Sequence, residues 1–303
     1  MDFKTGKELV ELCSRENISI SSAMKKRELA NGGTEQEITE KMERALSIMK
    51  NAVKEPLSDP RKSLSGLIGG EAKKVWDFQE KAAPVWDSLV GRVISYSMAV
   101  LEVNASMGVI VAAPTAGSSG VLPGVLLALR EEKKLTDEDV IRGMFHAGAI
   151  GYLLMKNASV SGAEAGCQAE TGSASAMAAG AVVELMGGSP GMCLAAASMA
   201  LSNMLGLVCD PVAGLVEVPC QGRNVLGALN ALACGQIILS GVDFPIPFDE
   251  MASAMYRAGR NLPAEFRETA VGGCAGTPTG NALKCTLWLI PCIIMQLSFK
   301  EST

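Results

Sequence analysis

Two long runs without a single charged residue limit what this chain can fold into. They cover residues 185–209 and 224–242. Segments of that length and apolarity must be buried, in the middle of a protein or in a bilayer. The first is interrupted by Gly187, Gly188, Ser189, Pro190 and Gly191, which break a helix into pieces. The second carries Asn230, Gln236 and several glycines. Both are expected to be central helices of a soluble domain, with a helical membrane protein such as a carrier as the rival reading.

The rest of the chain supports the same class. Apolar residues make up 48% and aromatic residues only 4%, with 32 glycines and 16 methionines. Small residues let helices approach closely, and methionine fills the irregular gaps between them. Valine and isoleucine cluster only at 109–111 and 216–218, so strand signals are few. The expected fold is all-α: a multi-helix domain with small residues at the helix contacts and Gly/Pro-rich loops. Residues 1–60 read as a separate, more charged helical segment, and residues 61–303 as the main domain. Pro56 to Pro60 read as the linker, and Trp288 to Phe299 as an apolar segment too short to span a bilayer comfortably.

Charge and cysteine usage narrow the function. The formal net charge is −5 and no basic tract stands out, so there is no nucleic-acid footprint. Nine cysteines are scattered and odd in number, and the N-terminus has no apolar signal region. Both facts point to a reducing, cytoplasmic setting rather than a disulfide framework. The single histidine, His146, excludes a histidine-rich metal site.

Helix signals are legible in several places. Thr34 with Glu37 forms a capping-box pattern, and Thr136 with Asp139 opens a helix reaching about Met155. Another helical region is expected over 82–107, with Pro84 in its first turn. Between these lies the turn 114–124, with Thr115, Gly117, Ser118, Ser119 and Gly120. A Gly/Ser/Thr-rich turn that opens a helix presents backbone N–H groups suited to a carboxylate or phosphate. A plainly capped helix start explains the same residues. The turn lacks the lysine of a phosphate-binding P-loop.

The chemistry centres on Cys209-Asp-Pro-Val-Ala-Gly-Leu-Val-Glu-Val-Pro-Cys220. Pro211, Gly214 and Pro219 make this a bent loop able to bring both sulfurs to one point. A third thiol, Cys167, lies upstream beside Glu164, Gln168 and Glu170. If that piece is helical, Glu164, Cys167 and Gln168 share nearly one face, suited to orienting a ligand. The spacing alone is a weak metal-cluster signal, and free cysteine is also a common core residue. Arg223, at the rim of an apolar stretch, is expected to pair with Glu217 or with a substrate carboxylate.

Taken together, residues 113–120, 157–164, 166–170 and 209–220 resemble the catalytic chain of the bacterial iron–sulfur-dependent L-serine dehydratases. The resemblance extends from about residue 60 onward. It implies a [4Fe-4S] cluster held by Cys167, Cys209 and Cys220, with the fourth iron open to substrate. It also implies β-elimination of water from L-serine to give pyruvate and ammonia. Thr115, Ser118, Ser119, Gly120, Asn157 and Ser159 are the expected substrate contacts, and Lys156 is the candidate base. A hydro-lyase acting on another hydroxy acid is the alternative enzyme, and a structural subunit whose cysteines only pack is a further rival. The chain resembles the α subunit of the two-chain type, which implies a separate regulatory β chain in a hetero-oligomer. Single-chain relatives end in a cysteine that enters their own active site, and this sequence ends in Phe299 to Thr303 without one. Cysteines 13, 193, 234, 285 and 292 are expected in the core.

Overall fold

The computed structural model describes residues 2–81 and 84–287, and its regular elements are helical. The N-terminal elements are α1 (Gly6–Glu16), α2 (Ile20–Ala30) and α3 (Glu35–Ser58). They are followed by α4 (Glu71–Lys81), α5 (Ser88–Ala105), α6 (Val121–Lys133) and α7 (Asp137–Asn157). A short α8 (Gly162–Ala165) precedes α9 (Ser173–Leu185), α10 (Pro190–Asn203), α11 (Cys220–Leu239) and α12 (Phe248–Arg260).

Helix α9 is the centre of the bundle. All but one of its residues are buried, and it packs on α7, α10 and α11. Its alanines and glycine permit this because they add little bulk to the contacts. A Cβ placed on Gly235 of α11 would fall 2.8 Å from Val182 Cγ1, so α11 meets α9 through a missing side chain. The two charge-free runs supply α10 and α11, both packed on α9, but α11 is central on one face only and leaves Leu226 and Ile237 exposed on the other. Among the described residues no helix is long and apolar enough to cross a membrane.

Both capping boxes form. Thr34 and Glu37 exchange hydrogen bonds at the start of α3, as do Thr136 and Asp139 at the start of α7. Helix α3 differs from expectation at its end: it runs through Pro56 to Ser58 instead of stopping at a linker. Pro56 is buried on the same face as Ala52 and Val53, so packing there offsets the lost backbone donor. The region expected as a helix over 82–107 begins only at Ser88, where Asp87 accepts the Val90 amide at 3.0 Å. Pro84 lies outside that helix.

Residues Phe3, Leu9, Ile20, Leu46 and Met49 belong to the same buried cluster as α7, α9 and α10. Asp249 of α12 accepts the Gly6 and Lys7 amides at 2.7 and 3.0 Å, fixing the start of α1. Cys13, Cys193 and Cys234 are buried as expected, but Cys285 is exposed because the surface stretch that carries it is not covered by the bundle. Cys292 and the apolar segment of residues 288–299 lie outside the described residues.

Candidate active site

The site forms where α8, the turn after it, the 115–120 turn and the 209–220 loop meet. Helix α8 stops at Ala165 because Gly166 adopts φ +76°. A π-type turn over Gln168–Gly172 then carries the chain into α9. Such wide turns recur at functional sites because they re-aim side chains. Here the turn leaves Cys167 Sγ 3.0 Å from Thr171 Oγ1 and places Glu170 toward the 115–120 turn.

Cys209 is fixed by the single isolated backbone bridge among the described residues. Its amide donates to Phe266 O and its carbonyl accepts from the Glu268 amide, each at 2.8 Å. The next residue, Asp210, accepts the Cys274 amide at 2.6 Å and lies 2.5 Å from the Arg223 guanidinium. Arg223 therefore pairs with Asp210, not with Glu217. Glu217 is instead taken by the hydroxyls of Ser63 and Ser65. Cys220 opens α11, and its carbonyl accepts from Asn224 Nδ2 at 2.9 Å.

Cys167, Cys209 and Cys220 are all buried. Burial, then the charges of Glu170, Cys167, Glu268 and Cys220, push the Cys209 thiol up. Burial and the neighbouring Cys167 push Cys220 up to about 12. The three sulfurs thus lie in one electrostatic neighbourhood. They are not, however, mutually within the 4.8 Å that a single ion's donors would occupy.

Glu170 links the thiols to the 115–120 turn. One oxygen accepts from Thr115 Oγ1 at 2.8 Å, and the other lies 3.8 Å from Cys209 Sγ. Burial raises its carboxyl above the ordinary range against the opposing Thr115 hydrogen bond. Two glycines let it lie close against the backbone of α8 and of the 115–120 turn. A Cβ on Gly162 would fall 2.6 Å from Glu170 Oε2 and 3.0 Å from Cys209 Sγ, and one on Gly117 would fall 3.1 Å from Glu170 Oε1.

The expected substrate residues divide into two groups. Thr115 and Ser118 face Glu170, with their hydroxyls 3.1 Å apart. Ser119 is buried, and its hydroxyl has no hydrogen-bond partner among the described residues. The amides of Ser118 and Ser119 close the local turn, and that of Gly120 is held by Asn224 Oδ1 at 2.8 Å. Asn224 also donates to Gly117 O, so it clamps this turn to the start of α11.

The residues at the end of α7 face elsewhere. Lys156 is exposed and donates to Tyr152 Oη at 2.9 Å. Asn157 is exposed and donates to Lys4 O and Leu153 O. Ser159 is buried and donates to Glu164 at 2.7 Å. Glu164 in turn reaches Tyr256 and Arg260 of α12. Gln168 is fully buried, holding Ala165 O, Met255 O and the Gly206 amide. Glu164 and Gln168 thus do not share a ligand face, because the turn at Gly166 separates them.

None of the hydrogen bonds or ion pairs of Thr115, Glu170, Cys167, Cys209, Cys220 or Asn224 involves a lysine or histidine among the described residues. The residues sequence reasoning did not single out as site residues are Glu170, Asp210, Asn224 and Gly162, against which Glu170 and Cys209 pack. Glu170 alone had a local signal, as a carboxylate three residues beyond a cysteine in an otherwise small-residue stretch.

Comparison with known proteins gives a consistent result. The family described as "Serine dehydratase alpha chain" matches residues 15–275. A protein of Bacillus subtilis named "Probable L-serine dehydratase, alpha chain" is 46% identical over 283 residues, covering 93% of this chain and 94% of the relative. "L-serine dehydratase, alpha chain" of Peptoniphilus asaccharolyticus is 38% identical, covering 93% of this chain and 97% of its own length. An "L-serine dehydratase" of Streptomyces coelicolor is 37% identical over 90% of this chain, but only 60% of that longer protein is covered. The match runs through α8, the 209–220 loop and α12, and on that ground the chain belongs to the serine dehydratase alpha chain family.

Proposed function

We propose that this chain is the catalytic chain of an L-serine dehydratase, which eliminates water from L-serine to give pyruvate and ammonia. The observation that carries the reading is the meeting of three buried thiols from separate segments beside Glu170, in a chain of this family.

Cys167, Cys209 and Cys220 are the residues that would hold a [4Fe-4S] cluster. The donor set fits that group: three buried thiols lie in one electrostatic neighbourhood, and burial makes their thiolate forms costly without a positive centre. When bound, the cluster supplies a Lewis-acidic iron with no protein ligand for the substrate's β-hydroxyl.

The chain's own groups bind and orient the substrate. Thr115 and Ser118 offer hydroxyls to the substrate carboxylate, with Ser119 and the Gly120 turn behind them. Glu170 offers a carboxylate to the substrate ammonium. Loss of the α proton and of hydroxide gives 2-aminoacrylate and water. The enamine tautomerises to the imine, which takes up water to give pyruvate and ammonia. Lys156 serves as proton acceptor only if it leaves Tyr152, and Asn157 and Ser159 contact substrate only if the end of α7 turns inward. The reading we favour is that a separate β chain completes the site and supplies the base.

The test is anaerobic co-purification with the β chain, followed by iron, sulfide and pyruvate assays. Iron and sulfide with serine-dependent pyruvate are expected, and Cys209→Ser should lose all three. An active, iron-free enzyme would refute the cluster. An iron-loaded complex that leaves serine untouched would refute the substrate.

A further inference from the structure

Away from the thiol pocket, α7, α9 and α10 bring three other donor groups together. His146 of α7 is fully buried, with Nδ1 2.7 Å from Glu184 Oε2 of α9. The same carboxylate oxygen accepts the Ser21 amide of α2 at 3.2 Å. Cys193 of α10 completes the group: one donor atom from each residue lies within 4.8 Å of the other two.

Two polar atoms in this group are left over. His146 Nε2 and Glu184 Oε1 are both buried and have no hydrogen-bond partner among the described residues. Buried polar groups without partners are rare in native proteins, and an ion is one of the reasons they persist; an ion shared with Glu184 takes Oε1 and the Nδ1 edge of the ring, because Nε2 points away from Glu184. The packing around the ring is also close. A Cβ on Gly180 would fall 2.5 Å from His146 Nε2 and 3.3 Å from Cys193 O, so α9 has a glycine opposite the imidazole.

We propose that His146, Glu184 and Cys193 form a metal site that takes a divalent ion of the Zn2+ type. The donor set is one nitrogen, one oxygen and one sulfur, which suits a borderline cation and not a hard one such as Mg2+ or Ca2+. A neutral imidazole, a carboxylate and a thiolate carry two negative charges, which the ion cancels, so the filled site is neutral in an apolar interior. Cys13 of α1 stands nearby: burial, then the Glu184 charge, push its thiol up to about 11. Because the donors are sealed beneath α1 and α2, the ion enters as these helices pack. The site is structural, tying α7, α9 and α10 to one another under the N-terminal pair.

The single histidine makes the test specific. The full chain is labelled with 15N in histidine and prepared two ways: expressed with added Zn2+, and refolded in the presence of a chelator. Long-range 1H–15N spectra then report one imidazole. The expected result is a metal-shifted ring nitrogen in the zinc-grown chain only, about one Zn2+ per chain beyond any held by the other thiols, and a loss of affinity of about 10-fold or more in Glu184→Gln. Zinc bound at Cys167, Cys209 or Cys220 leaves the ring unchanged. Identical ring spectra in the two preparations would overturn the proposal, whatever the total zinc. If Cys193→Ser folds, its ring should match the chelated chain. If it does not fold, the two wild-type spectra decide.

Discussion

The Arg223 guanidinium lies 2.5 Å from the Asp210 carboxylate, so one ion pair spans the two ends of the cysteine loop. Asp210 follows Cys209, and Arg223 stands three residues beyond Cys220. Arg223 also donates to Val208 O at 2.7 Å, just before the loop begins. The Asp210 side chain is only 3% exposed, which decides what happens when its partner is removed. A buried pair adds little net stability, but a buried charge left alone is expensive.

Arg223→Ala should therefore lower the unfolding free energy by about 3 kcal/mol or more. Urea denaturation measures this. Adding Asp210→Asn should restore part of the loss, because the amide oxygen can still accept from Cys274 N. Equal losses in the single and double variants would show that the pair is not the cause.

Gly162→Ala tests the close approach of Glu170 and Cys209 to α8. The new methyl would sit 2.6 Å from Glu170 Oε2 and 3.0 Å from Cys209 Sγ. Displacing these groups by about an ångström should cost on the order of 100-fold in kcat/KM. The overpacking should also cost about 1–3 kcal/mol of stability, so kinetics are compared at a temperature where the variant is folded. Wild-type kinetics in a well-folded variant would show that the pocket is not used.

Gly273→Ala acts on the same loop from the C-terminal side. Gly273 has φ +57°, and its Cβ would fall 2.1 Å from Asp210 Oδ2. The substitution both strains the backbone and forces Asp210 off the Cys274 amide. A loss of about 2 kcal/mol or more is expected in denaturant titrations. Arg223→Ala/Gly273→Ala should lose less than the sum of its parts, because both changes free the same carboxylate.

Glu102 gives a pH signature. Its carboxylate is buried and accepts from the Gly70 and Ala72 amides and from Gln221 Nε2. Burial raises its carboxyl above the ordinary value of 4.5 in spite of these bonds. Its contribution is present below 4.5 and is lost as pH rises from there through the higher folded-state value. The stability of the wild type minus that of Glu102→Gln should therefore fall across that window and then level off. A difference that grows with pH would contradict the assignment.

What the sequence disclosed was set by distance along the chain. The boxes at Thr34/Glu37 and Thr136/Asp139 are complete within four residues, and both form. The packing of α10 and of one face of α11 against α9 was legible from the absence of charge over two windows, but the exposed face of α11, with Leu226 and Ile237, was not. The partner of Arg223 was not legible, because Glu217 is drawn away by Ser63 and Ser65, some 150 residues earlier in the chain. Glu164 and Gln168 looked like neighbours on one helix, but a single positive φ at Gly166 turned them apart. Glu170 acquires its role from Thr115, a contact that no local pattern announces.

Cys209 depends on a backbone pairing with residues 266–268, and Asp210 on the amide of Cys274. A ribosome making this protein has finished Cys167 and Cys220 long before it reaches those partners. Until then only the Arg223 contacts to Val208 O and Asp210 tie the segment that carries the middle thiol. The three sulfurs therefore reach their final arrangement only once residues 266–274 have joined the bundle.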